Sequence, residues 1–106
     1  MPKYLLQANY TRDGVVGLIK DGGTRRRAVV ENLLKSVGGS VEAFYYAFGD
    51  TDLFAIVDTP DDVSMTAISL TVAAAGGATI KTTVLMSAEE VDEAAKKTPM
   101  YRAPGQ

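Results

Sequence analysis

Phe48-Gly49-Asp50-Thr51-Asp52-Leu53-Phe54-Ala55-Ile56-Val57-Asp58-Thr59-Pro60-Asp61-Asp62 sets a tight turn, an apolar strand and a helix start in direct succession. Gly49 tolerates positive φ and Asp50 can bond its own backbone, which is turn chemistry. Leu53 to Val57 is short and continuously apolar, as a buried strand is. Thr59 reads as a helix cap, Pro60 as the first helical residue, and Asp61 and Asp62 complement the positive end of the helix dipole. This order fixes the middle of a small α+β fold.

Upstream, Val41-Glu42-Ala43-Phe44-Tyr45-Tyr46-Ala47-Phe48 is rich in aromatic residues and reads as a strand from Ser40 to Phe48. The Gly49-Asp50-Thr51 turn joins it to the Asp52–Asp58 strand as an antiparallel hairpin. Further back, Lys3 to Tyr10 alternates as a strand. Tyr4, Leu6, Ala8 and Tyr10 lie on one face, and Leu5, Gln7 and Asn9 on the other. Thr11 to Lys20 has helical spacing weakened by Gly14 and Gly17. Asp21-Gly22-Gly23 interrupts it. A firmer helix from Thr24 carries Val30, Leu33, Leu34 and Val37 on a core-facing stripe, and Gly38-Gly39 ends it.

Downstream, Pro60 to about Ala75 is predicted helical, with Val63, Ala67, Leu70 and Ala74 as its apolar stripe. Gly76-Gly77 closes it. Ala78 to Met86 is a fourth strand, with Thr79, Lys81 and Thr83 on one face. Ser87-Ala88-Glu89-Glu90 is a capping box opening a last helix to about Lys97. Residues 98–106 contain two prolines and no periodicity, and read as an extended arm after a domain of residues 1–97. The strand and helix order is βαββαβ plus a terminal helix, the ferredoxin-like motif. It implies a four-stranded antiparallel sheet with helices on one face.

The chain has 106 residues and a net charge of −2, so one domain is expected and no nucleic-acid partner. Cys and His are both absent, which removes disulfides, thiol catalysis and the commonest general base and metal ligand. No cofactor and no metal site are expected. The start of the chain lacks a signal-peptide pattern and no window is long and apolar enough to span a bilayer, so a cytoplasmic protein without a membrane partner is expected.

The topology leaves one sheet face bare, and such a face stays wet only if it is polar. The residues assigned to it are Leu5, Gln7, Asn9, Phe44, Tyr46, Thr79, Lys81 and Thr83, a mixture of large apolar groups with amides, hydroxyls and one amine. That mixture implies partial burial against a second copy of the chain, forming a dimeric barrel with a pocket at the sheet face. Gln7, Asn9, Tyr10, Phe44, Tyr46 and Lys81 are the candidate ligand-binding residues. A polar dimer interface is the bland alternative.

Phe48 to Asp62 resembles the signature of the GYD-domain family, a Gly followed by Tyr-Asp, an apolar strand and a Pro-Asp-Asp ending. Asn9-Tyr10-Thr11 with Gly14, Gly38-Gly39 before the aromatic strand, and Gly76-Gly77 before the last strand extend the likeness over nearly the whole chain. Thr51 stands where the family's Tyr is expected. The resemblance implies a ferredoxin-like fold related to dimeric α+β barrels. It supplies no catalytic residues.

Two function classes follow. One is a homo-oligomeric small-molecule-binding module. The other is a cofactor-independent enzyme, a small monooxygenase or isomerase, in which Tyr10, Tyr46, Asn9 and Lys81 move protons and orient substrate. A purely structural oligomerisation domain is a third. Asp50 and Asp52 offer too few oxygens for a cation and read as turn residues with Gly49. Arg25-Arg26-Arg27, at a helix start, reads mostly as a solvated face and otherwise as the partner of an anion. Asp21-Gly22-Gly23-Thr24 lacks the spacing of a phosphate loop.

Overall fold

The structure is a computed structural model that describes residues 1–47 and 49–106. Its elements are β1 (Lys3–Tyr10), α1 (Arg12–Asp21), α2 (Gly23–Ser36), β2 (Ser40–Tyr46), β3 (Leu53–Asp58), α3 (Asp62–Ala75), β4 (Ala78–Leu85) and α4 (Ala88–Lys96). The strands form one antiparallel sheet in the order β2-β3-β1-β4. This is the ferredoxin-like arrangement, with an extra C-terminal helix. Of the aromatic strand, Phe48 lies outside the described residues.

The core forms where the apolar face of the central strands meets the helices. Tyr4, Leu6 and Ala8 of β1 and Leu53, Ala55 and Val57 of β3 are buried together with Leu34 of α2 and Met65 and Ile68 of α3. All six strand residues share one sheet face through the register Tyr4↔Val57, Leu6↔Ala55 and Ala8↔Leu53. Helices α2 and α3 therefore cover that face alone. Val30, Leu33 and Val37 pack around the buried Leu34, so the predicted stripe of α2 is the one used.

Three local expectations are corrected. The cap of α3 is Asp61, whose carboxylate accepts from the Ser64 N–H at 2.8 Å. Thr59 is instead buried, donating its hydroxyl to the Asp61 carbonyl at 2.8 Å and its N–H to that of Pro2 at 3.2 Å. The inner stripe of α3 is Met65, Ile68 and Val72, while Val63 and Leu70 are 77% and 66% exposed. A helix with a single charge and its hydroxyls spread over both sides gives periodicity no single face to choose.

The third correction reverses a strand. Val41 pairs with Val57, but Ala43 pairs with Ile56, so Glu42 is an extra residue in a β-bulge. One inserted residue inverts the parity of everything after it. Phe44 and Tyr46 consequently pair with Ala55 and Leu53 and face the helices, while Tyr45 turns outward. The bulge has a visible partner: Lys3 reaches Glu42 at 3.1 Å and Asp58 at 3.0 Å, joining β1, β2 and β3.

Helix α4 has the reciprocal Ser87–Glu90 capping box read in the sequence, with bonds of 3.0 and 3.1 Å. It packs on no other element extensively and buries no residue. With residues 97–106 it extends the molecule to 58 Å, and the radius of gyration is 17.0 Å. A compact chain of this length would have a radius of about 13 Å.

Candidate functional site

The helices sit apart. Helix α2 packs on β2 at one edge of the sheet, and α3 packs on β4 at the other. The middle strands β1 and β3 are left with a cavity above them of about 440 Å³. Small residues make the room. Ala8 and Ala55 form the floor with Leu6 and Leu53, Val30, Leu33 and Leu34 form one wall, and Ile68, Val72 and Ile80 the other. Helix α1 lies across one end and turns Gly14 and Gly17 toward the space. A Cβ on Gly17 would meet nothing within 4 Å.

Helix α1 is fastened rather than packed. Thr11 donates its N–H to the Gly77 carbonyl at 3.0 Å and its hydroxyl to that of Gly76 at 2.9 Å. Its hydroxyl also accepts from the Gly14 N–H at 3.2 Å, capping α1. Gly14 comes so close to the α3–β4 connection that a Cβ there would stand 1.8 Å from the Gly77 carbonyl oxygen. Of the two glycines that weaken the helical pattern, Gly14 is therefore a contact point and Gly17 is not.

The polar end of the site gathers Tyr10, Tyr46, Arg26 and Asp21. The Tyr46 hydroxyl donates to the Gly23 carbonyl at 2.9 Å, tying β2 to the start of α2. Phe44 meets the Tyr46 ring edge-on with centroids 5.2 Å apart. Burial pushes the Tyr10 phenol up to about 12, with the neighbouring Tyr46 adding to it. Burial also raises Tyr46, against the pull of Tyr10, Arg26 and Arg27. Asp21 faces Arg26 at 3.7 Å.

The raised Tyr10 value makes a pH prediction. A phenol whose folded value lies above its ordinary one holds its proton longer when folded. Its contribution is complete below pH 10 and is lost as pH climbs toward about 12, because the unfolded chain ionises first. Stability is expected to fall across that window in wild type and less steeply in Tyr10→Phe. Denaturant titrations from pH 9 to 12, with phenolate absorbance read in parallel, check this.

The sequence-predicted site residues divide between two faces. Tyr10, Phe44 and Tyr46 lie on the helix side. Gln7 and Lys81 face each other across β1 and β4 on the bare side, and Asn9 pairs there with Thr79. Asn9 is occupied, since its side-chain oxygen accepts from the Asp52 N–H at 3.1 Å. The Asp52 carboxylate in turn accepts from the Tyr10 N–H at 2.9 Å. Asp52 thus locks the end of β1 to the hairpin turn, while Gly49 and Asp50 are exposed. Among the described residues no cluster of His, Cys, Asp and Glu gathers as a metal site. Nor is any helix among them long and apolar enough to cross a membrane. Arg26, Gly17, Ala8 and Ala55 were absent from the sequence-derived list of site residues. For the three small residues the only signal is their smallness on otherwise large-residue faces, whereas Arg26 stands in the Arg25-Arg26-Arg27 run, whose second reading is the partner of an anion.

A family model described as the GYD domain matches residues 4–95, from β1 into the last turn of α4. The chain belongs to the GYD-domain family. No curated protein and no solved structure matches it. In this GYD domain the resemblance segment runs from the hairpin turn to the Asp61 cap, and its strand β3 supplies the cavity floor at Leu53 and Ala55. The family's motif residues thus build the site without lining it with reactive groups.

Proposed function

We propose that this GYD-domain protein is a homo-oligomeric binding module for a small, largely apolar molecule, held between the helices and the sheet. The cavity carries the reading. Its volume of about 440 Å³ falls within the range of small-molecule sites. The space is partly open to solvent, so without an occupant its apolar walls stand wet, and covering them is favourable by about 25 cal/mol per Å². Water gains little from walls of Leu, Val, Ile and Ala. An apolar occupant resolves the conflict. The proposed ligand thus lies on the helix side rather than at the bare sheet face.

The bare face serves self-association in this reading, as in a dimeric α+β barrel. Tyr45 is 70% and Phe54 36% exposed there, beside half-buried Leu5 and Ile56. Lys3, Glu42 and Asp58 edge one end and Gln7 and Lys81 the other. An apolar centre with a polar rim is the pattern of a protein interface.

The binding half is tested with 1-octanol as probe. Wild type is expected to bind it saturably by calorimetry and to melt higher in its presence. Gly17→Leu is expected to be more stable than wild type, by about 1 kcal/mol from helix propensity alone, and to bind octanol at least tenfold more weakly because its side chain fills the space. Undiminished binding by this variant would remove the cavity from the function.

A further inference from the structure

The cavity is not uniformly apolar, and one end of it holds a guanidinium. Arg26 is the only cation on the described lining. It sits in the first turn of α2, where the helix dipole already favours a negative group. Arg25 and Arg27 flank it in the sequence; Arg27 is paired with Glu31 at 3.6 Å, and Arg26 shares the lining with the carboxylates of Asp13 and Asp21. The lining thus holds one guanidinium and two carboxylates, and Arg26 is the group on it that can pair with an anion.

The existing partners of Arg26 leave its fork available. Asp21 stands at 3.7 Å, beyond hydrogen-bond distance, and both side chains are about a third exposed. Exposed ion pairs of this kind contribute little and exchange easily. A ligand carboxylate could instead take two parallel N–H bonds from the guanidinium, a stronger and more directional contact. The tyrosines do not compete for that role. Tyr46 donates its proton to Gly23, which leaves its oxygen facing the neighbouring Tyr10 as an acceptor.

We propose that the occupant is an amphipathic monoanion, an apolar chain or ring bearing a carboxylate, with its tail over Ala8 and Ala55 and its head on Arg26. The inference rests on the cavity being the ligand site, and it adds the charge of the head group. Asp13 and Asp21 also border the space, so a cationic head is the rival that the test must separate.

Three probes with the same eight-carbon tail do so: octanoate, 1-octanol and octylamine, titrated at pH 7.5 and low salt. Octanoate is expected to bind at least tenfold more tightly than octanol, and octylamine most weakly. Arg26→Gln is expected to abolish the octanoate preference over octanol, and Asp21→Asn to increase it by releasing the guanidinium. Melting curves of both variants verify that they are folded. Octanol binding as tightly as octanoate would leave the cavity standing and overturn the head-group assignment. Octylamine binding tightest, or an octanoate preference that survives Arg26→Gln, would overturn it as well. Failure of all three probes to bind would take the cavity reading down together with this one.

Discussion

Gly14→Ala is expected to destabilise the protein by about 3 kcal/mol, the upper end of overpacking costs. Helix propensity alone argues the opposite, since Ala improves on Gly in a helix by about 1 kcal/mol. Geometry decides the sign. The new Cβ would lie 1.8 Å from the Gly77 carbonyl oxygen and 2.8 Å from its carbon. Both are backbone atoms, so no side chain can swing aside. Helix α1 must lift, and lifting it breaks the Thr11 bonds to Gly76 and Gly77. In a domain of this size such a loss lowers the melting temperature by roughly 10–20 °C. Gly17→Ala, one turn along the same helix, meets open space and is expected to raise it. Calorimetry of the pair isolates contact from propensity, and two shifts of the same sign would refute the close approach.

Phe54→Lys is expected to convert the proposed assembly to monomers. Phe54 stands between Gln7 of β1 and Tyr45 of β2 on the bare face, so a partner copy would cover it near the centre of the patch. Central aromatic anchors contribute about 2 kcal/mol or more each, and an ammonium enclosed there without a counter-charge costs more. Dimer affinity is expected to fall at least a hundredfold. The isolated fold has little reason to suffer, because Phe54 stands on the sheet face away from the core. Sedimentation velocity over a range of concentrations, with circular dichroism to verify the fold, reads both effects. An unchanged distribution of species would place the interface elsewhere. Wild type sedimenting only as an 11.2 kDa particle would remove it.

The sequence carried the architecture further than the site, and particular residues show why. Strand β1 alternates without interruption, so Tyr4, Leu6 and Ala8 announce the buried face. The Ser87–Glu90 box and the left-handed Gly76 act within a few residues of themselves and are legible for that reason. Strand β2 misled because its parity turns on the bulge at Glu42, and that bulge answers to Lys3 and Asp58 on other strands. Nothing local marks it. The shift of Phe44 and Tyr46 to the helix side carried two of the six candidate ligand residues away from Gln7 and Lys81. Helix α3 misled differently, since with Asp62 as its only charge it shows no polar side to exclude. The cavity itself was illegible because it comes from the spacing of α2 and α3. That spacing reflects small residues drawn from five separate elements.

In the proposed reading an apolar molecule enters the space over Ala8 and Ala55. Intermolecular nuclear Overhauser effects between 1-octanol and the protein's methyl groups test it most directly, since methyls distinguish the two faces of a sheet. Contacts are expected to the methyls of Ala8, Ala55, Val30 and Ile80, with none to Leu5 or Ile56. Contacts confined to Leu5 and Ile56 would put the ligand on the bare face and contradict it.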